Sequence, residues 1–589
     1  MRRTKIVCTM GPATEDEAVL RGLMESGMNV ARQNFSHGTQ ESHKITHDRV
    51  VRVARELGLP IATLLDTKGP EVRLKKFAED KKVEIKTGES FTLTTRDVVG
   101  TAQCVSVTYK NLAEDVGVGT RILIDDGNVA LRCAEIIKAE DGTADIVCTV
   151  INGGMLSNNK GVNIPGVKLS MPYVSPVDES DIRFAAREGF DFVAASFVTC
   201  EEDVLAVRRI LEEEGRPDIR IIAKIENGEG VRNIDEILRV SDGIMVARGD
   251  MGVEIPFEEI PQIQKMLIKK AYNACKQVIT ATQMLESMIH NPRPTRAETT
   301  DVANAIYDGT SAIMLSGETA AGAHPVEAVK TMALIAETTE KAIDYKGRFN
   351  KLETRDSVNV STAISHATVS AAMDLGATAI ITVTKTGATA RMISRYRPEC
   401  PIISCTTSEV TMRQMALSWG VIPLMAEEMM TNTDDLIRHA VQKATAAGLV
   451  KNGDLAVITA GVPLGVSGTT NLMKVHIVGD VLVTGTGVNS GRVTSNVCVC
   501  ATEQEALERF ERGQILVIPK TTNAVLPLLK TAAGIVTEEN GTDSHAAVVG
   551  MTLDIPVIVG AANATQILRS GTAVTLDAQK GIVCAGTGD

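Results

Sequence analysis

The run "IIAKIENGEGV" (221–231) is apolar enough to enter a buried strand, yet it carries Lys224 and Glu226. Side chains two apart on an extended strand share a face, so this ammonium and carboxylate point the same way. One such pair stabilises little, because desolvation offsets its attraction. Other apolar runs end alike. "MNVARQN" supplies Arg32 and Asn34, with Ser36 just beyond; "IATLLD" leads into Asp66 and Thr67, and "FDFVAAS" into Ser196. "GIMVARGD" ends with Arg248 and Asp250, "QVITAT" with Thr282, and "SAIMLS" with Ser316, two residues before Glu318. Several converging charges imply a bound ion or ligand. Glu226 and Asp250 are oxygen ligands suited to Mg²⁺, which takes one or two carboxylates together with waters and substrate oxygens. Arg32 and Lys224 supply positive charge for a phosphate. Asn34 and Ser36, on the face of Arg32 and near Asp66 and Thr67, either form a second, weaker cation site or bond within their loop.

Such residues need a scaffold that brings strand ends together. Eight short apolar runs alternate with stretches of helical spacing such as "PFEEIPQIQKMLIKKAYNACK" (256–276), the pattern of parallel βα units. Eight units predict a closed (β/α)₈ barrel over 1–69 and 169–340, whose site lies at the C-terminal strand ends. Between them, residues 70–168 hold alternating runs such as "VEIKTGESFTLTT" and "TRILIDDGNVAL", which predict an inserted all-β domain. Helix "VSTAISHATVSAAMDLGA" and strands "TAIITVT", "DLAVITAG" and "MKVHIVG" predict an open α/β domain over 341–484. A fourth unit, 485–589, is rich in Gly, Thr and Val, with strands "QILVIP", "AGIVTE" and "IPVIVG".

Composition narrows the partners. With 61 basic and 73 acidic residues the net charge is -12, which repels nucleic-acid phosphates and acidic membranes. No run approaches the ~20 apolar residues that span a bilayer. The 11 cysteines are scattered, and only Cys498 and Cys500 lie close together, without metal-ligand spacing. Reduced thiols and a cytoplasmic location are the expectation.

In these residues the sequence resembles the pyruvate kinase family. The matching stretches are "TKIVCTMGPAT", "NVARQNFSHG", "LLDTKGPEVR", "KGVNIPG", "DFVAASFV", "IIAKIENGEGV", "GIMVARGDMGVE", "ATQMLESMI", "PTRAE" and "GTSAIMLSGETAAG". The resemblance implies transfer of the phosphoryl group of phosphoenolpyruvate to ADP, giving pyruvate and ATP, with Mg²⁺ or Mn²⁺ and K⁺. By it, Glu226 and Asp250 hold the dication, and Asn34, Ser36, Asp66 and Thr67 hold potassium. Glu71 matches the potassium-dependent variant of the family. Arg32 and Lys224 neutralise the phosphoryl group, Thr282 lies near the enolate carbon, and backbone N–H groups at Gly249 and Asp250 grip the substrate carboxylate. Asn34, His37, Arg73 and Lys160 correspond to nucleotide-binding positions, and the inserted domain to a closing lid. Two departures stand out: Gln33 replaces an apolar residue and should face away from Arg32, and "LSMPYVSPVDESD" (169–181) differs from the usual hinge after the lid.

The loop in "ITVTKTGATARMISRYRP" (381–398), with Thr384, Lys385, Thr386, Gly387 and Thr389, resembles the family's effector-phosphate loop, and "GVPLGVSGTTN" (461–471) a second effector segment. This implies activation by a phosphorylated small molecule; without the resemblance, an ordinary βα turn would serve. "TEENGTDSHAAVVGMTLDIPVIVG" (537–560) resembles the phosphohistidine domain of phosphoenolpyruvate-using enzymes, with His545 where phosphate is carried. Asp543 puts a negative charge beside it, which favours a structural or regulatory domain. A homotetramer is usual for the family. The alternatives are another Mg²⁺-dependent barrel enzyme acting on phosphoenolpyruvate or a keto acid, and a phosphate-relay or metabolite-sensing protein.

Overall fold

The computed structural model describes residues 1–351, 359–427, 432–462, 470–479 and 481–586. Contacts group the chain into two compact units: Met1–Leu352 with Lys385–Arg397 and Ser408–Met425, and Glu353–Thr384 with Pro398–Thr407 and Ala426–Asp589.

In the first unit each of the eight apolar runs forms a strand: β1 (Lys5–Thr9), β2 (Val30–Asn34), β3 (Ala62–Asp66), β4 (Phe192–Ala195), β5 (Arg220–Ile225), β6 (Gly243–Ala247), β7 (Gln277–Ala281) and β8 (Ala312–Leu315). They close into a barrel in sequence order, β1 pairing with β8, and every pair is parallel. The register sets Asn34 opposite Asp66, Asp66 opposite Ala194, and Lys224 opposite Met245. The strands are apolar on both faces because both are covered. Val7, Val30, Leu64, Phe192, Ile222, Met245 and Ile279 fill the barrel interior. Ile6, Cys8 and Ala31 instead join the helix layer outside. That layer is amphipathic: the helix Ile260–Asn273 buries Gln264, Leu267, Ile268 and Ala271, spaced three, one and three residues apart.

The inserted segment folds as a seven-stranded, mostly antiparallel sheet with its own core around Phe77, Phe91, Leu93, Ile122, Leu131 and Ile146. The chain returns from it into the helix Pro176–Glu188, which Ser175 caps and Pro176 begins. In the second unit, strands Ala379–Val383, Ile402–Thr406 and Leu455–Gly461 run parallel, and Thr470–Ile477 pairs antiparallel with the last of these. The C-terminal part forms an eight-stranded mixed sheet, whose parallel centre is Arg492–Val499, Ile515–Ile518, Gly534–Thr537 and Val557–Val559. All eleven cysteines are free, and the sulfurs of Cys498 and Cys500 lie 3.6 Å apart. Among the described residues no helix is long and apolar enough to cross a membrane.

Candidate active site

At the C-terminal end of the barrel the ends of β2, β3, β4 and β5 share one buried network. Arg32 Nε donates to Asp66 Oδ2 at 2.6 Å, and Arg32 also reaches Thr9 Oγ1 at 2.9 Å. Lys224 Nζ lies 3.1 Å from Asp66 Oδ1, 3.0 Å from Glu226 Oε1 and 2.8 Å from Ser196 Oγ. Ser196 Oγ in turn donates to Thr67 O at 2.6 Å, and Ser196 N donates to Thr67 Oγ1 at 3.1 Å. Asp66 and Glu226 are no more than 1% exposed. Charges this deep persist only when they answer one another.

The electrostatics follow from that geometry. Burial works to raise the Asp66 carboxyl, but Arg32 and Lys224 hold it below the ordinary range. Burial likewise opposes the charge on Lys224, yet Asp66, Glu226 and Asp250 together raise it, so the ammonium stays protonated. Glu226 differs: burial pushes its carboxyl up to about 7, Lys224 pulls it down, and the like charge of Asp250 adds to the push.

Three comparisons bear on what this arrangement does. The model of the pyruvate kinase barrel domain matches residues 1–329, that of the pyruvate kinase alpha/beta domain 362–476, and that of the mobile domain of PEP-utilising enzymes 510–581. A pyruvate kinase of Geobacillus stearothermophilus is 50% identical over 585 residues, covering 99% of both chains. One from Bacillus licheniformis is 49% identical, covering 100% of this chain and 99% of its own. The chain belongs to the pyruvate kinase family. A crystal structure of a pyruvate kinase from Cryptosporidium parvum superposes with a TM-score of 0.76 at 40% identity, over 81% of this chain and 96% of the other. The pyruvate kinase reaction, phosphoenolpyruvate and ADP to pyruvate and ATP, is thus the chemistry this barrel performs.

Pyruvate kinase chemistry needs room for a nucleotide and an acid, and a cleft of ≈ 950 Å³ opens between the barrel end and the inserted sheet. Arg73, Lys160, Asp126 and Asp250 line it. Arg73 Nε bonds Glu71 Oε2 at 2.7 Å, and Lys160 Nζ pairs with Asp125 at 2.5 Å. Burial raises the Asp126 carboxyl, with Asp250 and Asp125 adding to the shift. His37 is exposed, and its carbonyl accepts from the His43 ring at 2.7 Å. Asn34 Oδ1 accepts from Ser36 N at 3.1 Å, so part of this oxygen set bonds within its loop. Gln33 does face away from Arg32: it is buried, with Oε1 3.0 Å from His43 Nδ1.

Other strand-end residues serve the walls of the site. Arg248 donates to Thr282 O and pairs with Asp301, each at 2.7 Å, and Glu318 accepts from Leu285 N and Ser316 N at 3.0 and 2.7 Å. The polar ends of β6 and β8 thus do not all converge on the mouth. Their helices begin at once, Arg248–Glu254 and Gly317–Ala320, and turn Arg248 and Glu318 toward backbone groups. Thr282, at φ 68°, accepts from Gly249 N at 2.7 Å and donates to Ala281 O at 2.6 Å. In this state the Gly249 N–H is occupied by Thr282 rather than open to a carboxylate.

Thr9, Tyr173 and Phe197 also reach the network without standing among the expected site residues, although Thr9 and Phe197 lie within the matching stretches "TKIVCTMGPAT" and "DFVAASFV". Among the described residues no three His, Cys, Asp or Glu side chains form a metal-binding group. Two carboxylates suffice for Mg²⁺, and the raised Glu226 is what a dication would relieve. Asp66, although it answers Arg32 and Lys224, retains lone pairs for a monovalent ion.

In the loop 384–389, Thr384 falls in the second unit, while Lys385, Thr386, Gly387 and Thr389 fall in the first. Gly387, at φ 74°, caps the helix Ala388–Arg395. Thr386 O accepts from Arg220 at 2.8 Å and Arg391 at 3.1 Å, and Lys385 O from Thr411 at 3.0 Å. Most of the second effector segment, 463–469, lies outside the described residues. His545 opens the helix His545–Leu553; its Nδ1 is 2.9 Å from Thr521 Oγ1 and its Nε2 is 3.1 Å from Asn523 Oδ1.

Proposed function

We propose that Arg32 and Lys224 neutralise the transferring phosphoryl group and that Glu226 and Asp250 hold Mg²⁺ or Mn²⁺. The observation that carries this reading is the linked set Arg32–Asp66–Lys224–Glu226, with gaps of 2.6, 3.1 and 3.0 Å. Phosphoryl transfer is largely positioning plus charge stabilisation, and pre-set buried cations supply both. The dication, when bound, offsets negative charge developing on the enolate and phosphoryl oxygens. Asp66 keeps Lys224 and Arg32 aimed, and Thr282, bonded to Gly249 N, lies near the enolate carbon that is protonated after transfer. Asn34, Ser36, Asp66 and Thr67 bind K⁺. Arg73, Lys160, His37 and Asn34 receive the nucleotide, and closure of the inserted domain excludes water.

A lactate-dehydrogenase-coupled assay with Mg²⁺, with and without K⁺, tests this. Turnover should need the divalent ion and rise with K⁺; activity indifferent to K⁺ would refute the role given to Glu71 and the four oxygen donors.

We read residues 384–389 as the seat of a phosphorylated effector, on the family resemblance and the positive-φ turn at Gly387. A hyperbolic rate curve unmoved by sugar phosphates or nucleotide monophosphates would remove that role. The acidic charge and free cysteines support a cytoplasmic protein. The tetrameric state rests on the family and is read by light scattering.

A further inference from the structure

The segment 169–181, through which the chain returns from the inserted sheet to the barrel, carries Tyr173. Its hydroxyl donates to Ser196 O at 2.9 Å. The other end of that same peptide unit, Phe197 N–H, donates to Glu226 Oε2 at 2.5 Å. One amide is therefore held at both ends, by the hinge on its oxygen and by a site carboxylate on its nitrogen. Phe197 has φ 56°, a left-handed conformation that a bulky aromatic residue rarely adopts. Such a backbone persists only where its surroundings hold it, and Tyr173 is a holder in place. Burial keeps the phenol pKa well above its usual range, so the hydroxyl remains a donor.

Glu226 consequently has each oxygen fixed by a separate donor, Oε1 by Lys224 and Oε2 by the Phe197 amide. The segment carrying Tyr173 is itself anchored on both sides. Ser170 N and Oγ donate to the lid residue Asp115 at 2.8 and 2.6 Å, and Asp178 Oδ1 accepts at 3.0 Å from Gly69 N, where the chain leaves for the lid.

We propose that Tyr173 is a positioning residue for Glu226: by pinning the Ser196–Phe197 peptide it aims an amide that orients the carboxylate for a divalent cation. The proposal rests on Glu226 being a ligand of that cation. It gives this chain a hydrogen-bonded route from the lid hinge to the metal carboxylate.

The test is Mn²⁺ titration of the full-length, substrate-free enzyme, following the free-ion signal by electron paramagnetic resonance, with Tm measured in parallel. Tyr173→Phe removes one hydroxyl and should weaken Mn²⁺ binding about three- to tenfold, the equivalent of one lost hydrogen bond. Half-saturating Mg²⁺ should rise by the same factor, while kcat at saturating Mg²⁺ changes less than about twofold. A folded Tyr173→Phe enzyme with parental Mn²⁺ affinity overturns the proposal, whatever its Tm. Glu226→Gln separates the two layers: lost Mn²⁺ binding upholds the ligand role, and undiminished binding sinks both. A crystal structure of the parent with Mn²⁺ needs no variant. It should keep both bonds to the 196–197 peptide, and a Glu226 turned away from that amide overturns the role of Tyr173.

Discussion

The barrel mouth and the start of the helix His545–Leu553 both gather polar side chains in segments that follow parallel strands, but they satisfy them differently. At the mouth, Arg32, Asp66, Lys224 and Glu226 come from β2, β3 and β5 or their ends, and each is answered by an opposite charge. At His545 the partners are a hydroxyl and an amide, Thr521 and Asn523, and the nearby acid Asp543 is exposed. Both ring nitrogens of His545 are thus engaged, Nδ1 with the Thr521 hydroxyl and Nε2 with the Asn523 side-chain amide. Held that way, either nitrogen must leave its partner before it can attack phosphorus. Charge drawn from separate strands builds a pre-set electrostatic site; neutral bonds around one helix start build an anchored side chain.

Lys224→Met attacks the charged side of this contrast most directly. It strips the shared cation from Asp66 and Glu226 while keeping an unbranched side chain of similar length. Turnover in the coupled assay should fall by at least about 10³-fold, at the upper end of losses for single electrostatic stabilisers. A variant retaining even a tenth of parental kcat would show that the network is structural. Ser196→Ala is a milder blow. It removes a neutral link among Lys224, Asp66 and Thr67 without touching a charge, so kcat/KM should drop about tenfold, in line with one hydrogen bond to an ionised group. Equal losses from Lys224→Met and Ser196→Ala would mean that alignment, not charge, is what the mouth supplies.

How far the sequence reached follows from the same distinction. Period and length located all eight barrel strands, because a strand covered on both faces must be apolar throughout. The juxtaposition of Lys224 with Glu226 followed from a two-residue spacing, which is a property of the strand alone. What lay beyond reach depends on the residue after the strand. Glu318 looks like a site carboxylate by position, yet the helix starting at Gly317 turns it onto two backbone amides. Phe197 and Thr282 adopt φ of 56° and 68°, and neither residue type signals a left-handed turn. Tyr173 lies in 169–181 without a signal of its own; its target, a carbonyl 23 residues onward, is set by tertiary packing.

His545→Ala carries the smallest expected effect and tests the neutral side of the contrast. If this histidine is an anchored side chain, steady-state phosphoryl transfer in the barrel should change by less than about twofold, as substitutions that break only neutral side-chain bonds usually do. The second readout is covalent: parent and variant are incubated with phosphoenolpyruvate labelled at phosphorus, without ADP, and acid-labile protein-bound label is counted. Phosphorylation would require Nδ1 to leave Thr521 or Nε2 to leave Asn523, and Asp543 would oppose the approaching dianion. Neither chain should therefore hold label. Label on the parent that vanishes in His545→Ala would erase the contrast, because a histidine with neutral partners would then be doing group transfer. In that event faster labelling of Thr521→Ala, which frees Nδ1, would assign the reacting atom to Nδ1, whereas an Asn523→Ala enzyme labelled faster would assign it to Nε2.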